Sequence, residues 1–217
     1  MSKKYEITNE IMQYANRTLY RIRALKLFET HGHPVKIGDL GGWVENEANL
    51  SQDSLAWVAD DAKIFGDARV YDDAIIYENA TVCGNAKVYC GAAVCGHALL
   101  CDNAVVWGWA KVSGNAEVCG AAKVFAKSMV FGDAKVYDTA EVCGGASVYG
   151  HAQIYGDATV CGCEVYDNAK VFENAKVYGK NVVVRGNAQI HGNAALTDDV
   201  IIFGNARIRV REALPVF

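Results

Sequence analysis

The chain has 217 residues, 52% hydrophobic and 21% charged, with a formal net charge of −4. That balance supplies enough apolar material for one sizeable folded unit and excludes an extended disordered polymer. It contains no long basic run, so the electrostatic footprint of a protein that grips a nucleic-acid backbone is missing, and no nucleic-acid polymer is expected as a partner.

At the N-terminus, "MSKKYEITNE" lacks the apolar stretch of a signal peptide, and no later run approaches the roughly 20 apolar residues that span a bilayer. A cytoplasmic location with no membrane partner is therefore expected, the host cytoplasm if the gene is carried by a phage. Eight cysteines, at 83, 90, 95, 101, 119, 143, 161 and 163, then read as free thiols in a reducing compartment rather than as a disulfide framework. "LYRIRALKLF" (19–28) alternates as a strand does, and Gly38, Gly41 and Gly42 mark tight turns before the pattern changes. Residues 1–47 thus read as an N-terminal β cap and lead-in segment, which argues against unlimited end-to-end filaments. "GDLGGW" (38–43) opens no helix, so it is turn chemistry and not a phosphate loop.

From residue 48 to 217 a period of six takes over. Alanine stands at 56, 62, 68, 74, 80, 86, 92, 98, 104, 110, 116 and 122, then, after Ser128 fills one slot, at 134, 140, 146, 152 and 158. An aliphatic residue follows each slot by two, as in Val58, Ile64, Val70 and Ile76. Residues two apart on a strand share a side, so each Ala-x-Val unit offers one small and one medium inward side chain. The Gly-Asn or Gly-Asp that follows tolerates positive φ and turns the chain sharply. Strands this short bury a core only by stacking, so three units per coil predict an all-β parallel β-helix of triangular cross-section, 18 residues per coil. The phase breaks twice, one residue short over Val160–Val165 and one long over Lys180–Ala188. The C-terminal "RIRVREALPVF" supplies a last strand and an apolar tail, Leu214–Phe217, that could close the prism or meet a second subunit.

Eighteen residues per coil sort the turns into three columns. One carries "ADD" (59–61), "YEN" (77–79), "CGH" (95–97) and "SGN" (113–115); another carries "FGD" (65–67), "CGN" (83–85), "CDN" (101–103) and "CGA" (119–121). The last reads "YDD" (71–73), "YCG" (89–91), "WGW" (107–109), "FAK" (125–127) and "CGG" (143–145). Anomalies collect in this last column, where Tyr89, Trp107, Trp109 and Phe125 are expected in adjacent rungs with Lys127 beside them. Such a cluster of aromatics means either a contact with another subunit or a groove for a flat ligand, with Lys127 available to an anionic group. Cys83, Cys101 and Cys119 recur at 18 and should stack along one edge, packed as small hydrophobes. No metal site and no cofactor are expected.

The hexad resembles the left-handed parallel β-helix of the hexapeptide-repeat acyltransferase superfamily, in which an aliphatic residue is followed four positions later by a small one, as Val82 is by Ala86. It departs from that pattern in placing Gly two residues after the aliphatic position. The polymer-forming bactofilins stack short repeats into a triangular helix of the opposite hand; the period is compatible with either, and the acyltransferase resemblance implies a left-handed coil. "TLYRIRALKLFE" (18–29), "VKIGDLGGWVENEANLS" (35–51) and "AWVADDAKIFGDA" (56–68) are similar to bacterial and phage proteins labelled acyltransferases or polymer-forming proteins.

Three functions follow. The first is a non-catalytic phage binding protein, a homo-oligomer that sequesters a small nucleotide-like host defence signal at Trp107, Trp109, Lys127, Tyr89 and Phe125. The second, implied by the resemblance, is an acyltransferase using acyl-CoA and a His base, for which His97, His151 or His191 is the candidate; His31 and His33 lie in the cap loop "ETHGHP". The third is a polymer-forming scaffold.

Overall fold

The computed structural model describes residues 3–210, and the expected apolar tail Leu214–Phe217 lies outside them. Five strands precede the regular coils: β1 (Tyr5–Tyr14), β2 (Arg17–Ala24), β3 (Phe28–Thr30), β4 (His33–Val35) and β5 (Leu40–Val44). β1 and β2 form an antiparallel hairpin, β2 pairs antiparallel with β5, and β5 pairs parallel with the strand Lys63–Ile64. Parallel stacking therefore begins at Leu40–Val44, inside the segment expected to be cap.

Beyond β5 the chain is a β-solenoid of mostly two-residue strands at 18-residue intervals on three faces; the face-one sheet has 12 strands with β1, β2 and β5 included, and the sheets of faces two and three have 8 and 9. Each coil visits face one (Lys63–Ile64), face two (Arg69–Val70) and face three (Ile75–Ile76) before returning to face one at Thr81–Val82. The second residue of each pair points inward, and Val82, Val88, Val94, Leu100 and Val106 are fully buried, as are the alanines two residues before them. Ser128, in an alanine slot, is also fully buried, and its hydroxyl donates to the Phe125 carbonyl at 2.7 Å. That local bond satisfies the one polar group the column would otherwise leave stranded.

Both phase breaks are absorbed without loss of register. Ser147 pairs with Glu164, 17 residues on, and Glu164 with Val183, 19 residues on, so two coils together span the regular 36. The shortened turn at 161–162 and the lengthened one at 178–181 lie on the same edge, between faces two and three.

The cap is tied down at three points. β3 and β4 lie over the start of face three, where Phe28 meets Trp57 edge-on at 5.4 Å between centroids and Val35 joins the core. Lys4, almost wholly buried, donates from Nζ to the carbonyls of Ser54 (2.8 Å) and Ala56 (2.6 Å). Gly41 and Gly42 let β5 pass tightly: a Cβ on Gly42 would stand 2.6 Å from the Ala62 carbonyl oxygen and from Val58 Cγ1.

Two predictions follow from these tethers. Gly42→Ala should destabilise the fold by about 1–3 kcal/mol, as overpacking against backbone does, read as a lower denaturant midpoint with an unchanged slope. Burial lowers the Lys4 ammonium pKa from 10.5 to about 8, so between these values the unfolded chain binds more protons than the folded one and stability rises with pH. Thermal melts of wild type and Lys4→Met should therefore diverge in favour of wild type as pH rises from 8 to 10; parallel profiles would show that Lys4 stays charged without penalty.

Candidate functional site

At the edge between faces two and three, here the WGW edge, Tyr71, Tyr89, Trp107 and Phe125 form a continuous stack. Centroid separations are 4.8, 6.0 and 4.3 Å, with ring planes within 6° of parallel. The structure thus brings Tyr89, Trp107 and Phe125 together as the sequence predicts, but by stacking them on one another at direct-contact distances. Similar ladders occupy the other two edges: Tyr137, Tyr155, Phe172 and His191 on one, Phe131, Tyr149 and Tyr166 on the other. A ladder is therefore how this coil finishes its corners, and the turn-initial aromatics alone do not single out the WGW edge.

What distinguishes that edge is its backbone. Cys90 and Gly91, Gly108 and Trp109, Ala126 and Lys127, and Gly144 and Gly145 are four consecutive pairs in the left-handed region, with φ between 50° and 78°. At the other edges the second turn residue donates its N–H to the following coil, as Asn85 does to Asp102 (2.6 Å) and His97 to Gly114 (2.7 Å). Here the direction reverses, and Trp109 donates to Cys90 (3.1 Å), Lys127 to Gly108 (2.9 Å) and Gly145 to Ala126 (2.9 Å), each in the preceding coil. A left-handed backbone costs an L-residue roughly 1–2 kcal/mol, and a bulky one such as Trp rarely adopts it. The Asn/Asp slot of the consensus thus becomes a different kind of position, which explains why Gly91, Trp109, Lys127 and Gly145 break the pattern together.

Trp109 stands outside the ladder and is 63% exposed. Its indole lies back over Gly91, where a Cβ would come within 3.0 Å of the ring. The imidazole of His31 sits 5.6 Å from it, tilted by 55°. His31 reaches this edge from the tip of the β3–β4 hairpin, and its Nε2 lies 2.8 Å from the Asp73 carbonyl, so Nε2 carries the proton. Lys127 is exposed one rung beyond Trp109. The edge therefore carries an exposed indole with the His31 imidazole beside it, and the exposed Lys127 one rung further on. His31 is the member sequence reasoning did not connect, because its approach depends on how a hairpin folds over face three.

The three histidines considered as bases lie elsewhere. His97 and His151 share the edge between faces three and one, both exposed, with His151 Nδ1 3.5 Å from Asp133. His191 lies on the edge between faces one and two. There it is stacked on Phe172 at 4.7 Å with only 16% of its side chain exposed, and its Nδ1 is buried without a hydrogen bond.

Cysteine chemistry departs from expectation at one point. Cys101 and Cys119 are joined by a disulfide across adjacent rungs, with Cα atoms 4.7 Å apart; Cys83, Cys90, Cys95, Cys143, Cys161 and Cys163 are free. The carboxylate of Asp102 accepts the Gly120 N–H at 3.0 Å, and its ligand atoms lie within 4.8 Å of both sulfurs. In the joined state those sulfurs are not thiolate donors, so this trio holds no metal as it stands. Burial pushes the Cys143 and Cys163 thiols up to about 12, which keeps them protonated and inert as nucleophiles at neutral pH.

Two segments of the coil, residues 62–78 and 152–162, match the family model described as YdcK Beta solenoid repeat. Together with the three parallel sheets, that match establishes a β-helix repeat protein. No curated protein matches the chain. Among the described residues no helix is long and apolar enough to cross a membrane.

The disulfide closes an 18-residue loop, a constraint worth about 3 kcal/mol in the chain-entropy picture. Reductant should lower the melting temperature of wild type and leave a Cys101→Ser/Cys119→Ser variant unchanged. Intact-mass measurement after alkylation in denaturant should find six labelled cysteines without reductant and eight with it.

Proposed function

We propose that this protein works by binding, and that Trp109, Lys127 and His31 on the WGW edge capture a flat, anionic molecule of the nucleotide class. The observation that carries the reading is Trp109 itself. A large aromatic held in a left-handed conformation, mostly exposed and fixed over a glycine, is costly both as backbone and as surface, and such features cluster at ligand clamps. A base would stack on the free indole face, and the Lys127 ammonium would meet its phosphate. Tyr89, Trp107 and Phe125 support that platform as the ladder behind it.

The fuller form, a phage protein that sequesters a host defence signal, rests on the sequence resemblance to phage β-helix proteins. An oligomer through the same edge is the second reading, favoured by exposed Met129 on face three one rung beyond Lys111. An acyltransferase would use His97, His151 or His191, all on the other two edges.

A thermal-shift screen against nucleotides, cyclic nucleotides, ADP-ribose-type molecules and acyl-CoAs tests the proposal, since a ligand that binds only the folded state raises the melting temperature. The expected result is a shift with one nucleotide class, reduced at least about tenfold in apparent affinity by Trp109→Ala or Lys127→Gln, with the ligand recovered intact by chromatography. No shift with any compound, together with a dimer in light scattering that Trp109→Ala dissociates, would transfer the edge to subunit contact. Turnover of an acyl-CoA lost on a single His→Ala change would overturn the binding reading.

A further inference from the structure

Charged side chains on the outer faces of this solenoid follow a rule, and one pair breaks it. Outward residues on adjacent rungs stand about 4.8 Å apart, so like charges there repel and opposite charges attract. Lys123 faces Glu141 with its Nζ 2.8 Å from the carboxylate, and Lys135 faces Glu117 at 3.0 Å. Arg69 and Lys87 are paired in register on face two. Among the described strand positions they are the one cross-rung pair of formally like charges, and neither has a carboxylate within 4.0 Å there.

These two cations open into a hollow of about 360 Å³ lined by Ala48, Ser51, Arg69, Val70, Tyr71 and Lys87. Its wall is the strand-like lead-in at Leu50–Ser51, which bridges to Val70 and holds the first coil. The Ser51 hydroxyl oxygen accepts the Asp53 N–H at 3.2 Å, which leaves its proton free to donate outward. Tyr71, the first ring of the WGW ladder, forms the far side. A planar five-donor guanidinium, an ammonium and a hydroxyl around one hollow are the donor set that a tetrahedral oxyanion uses.

We infer that the Arg69–Lys87 hollow is an anion site for a phosphoryl group, which supplies the countercharge that the neighbouring rungs lack. The site is separate from the Trp109 platform, and it stands or falls independently of the function proposed above.

The test is a thermal-shift titration with inorganic phosphate and with phenyl phosphate, against sodium chloride at matched ionic strength. Wild type should show a saturable rise of about 3 °C or more, beyond the general effect of an excluded salt. Lys87→Gln should lose the saturable part for both probes, and Trp109→Ala should keep it. Arg69→Glu places a carboxylate opposite Lys87, as Glu141 stands opposite Lys123, so it should melt higher than wild type in chloride and ignore phosphate. A larger response to phenyl phosphate than to phosphate would identify the ligand as an ester seated against Tyr71; equal responses would identify the free anion. A saturable rise that persists in Lys87→Gln, or no rise beyond chloride in wild type, overturns the inference. Lys87 is exposed, so its variant remains a fair test should Arg69→Glu fail to fold.

Discussion

A strand of two residues cannot hold itself, and everything in this protein depends on each coil stacking in register on the one before it. The backbone hydrogen bonds run between coils, from Lys87 N–H to the Ala104 carbonyl and from Val105 N–H to that of Ala122, both at 2.9 Å. Register also decides what is buried, because a slip of one residue would turn every inward valine to solvent. The 17-residue step after Ser147 is therefore answered by a 19-residue step after Glu164. Both irregular turns fall on one edge, so the three faces keep their alignment while that edge alone absorbs the change.

Fixed register has a second consequence, on the outside. Any residue type that recurs at 18 is brought against its own kind, so turn-initial aromatics become parallel stacks, Cys101 meets Cys119, and charged neighbours either pair or repel. The WGW edge uses the same rule with a different backbone. Its four pairs of left-handed residues redirect the turn N–H groups to the preceding coil, and the reversed bonds of Trp109, Lys127 and Gly145 fix the turns from below. Strain at Trp109 and Lys127 survives because the rungs on both sides over-determine their positions.

The alanine and valine slots, the 18-residue coil and the three columns of turns are legible in the sequence because each depends only on period. The ladder of Tyr89, Trp107 and Phe125 is legible for the same reason. Trp109 is not, since its separation from that ladder follows from a φ of 64° that no spacing encodes. Nor is the arrival of His31, which needs the β3–β4 hairpin to cross face three. The disulfide lies between: the spacing of Cys101 and Cys119 brings the thiols together, but the same spacing applies to Cys83, which stays free. Arg69 and Lys87 are visible as a spacing of 18, and only the contrast with every other charged pair gives them meaning.

A ligand site built on such rungs differs in kind from one built on loops. Trp109, Lys127, Arg69 and Lys87 sit on backbone that is hydrogen-bonded to neighbouring coils, so binding orders side-chain rotamers and little else. The entropy cost of association that a mobile loop would add is largely absent, and a few contacts can then suffice for useful affinity.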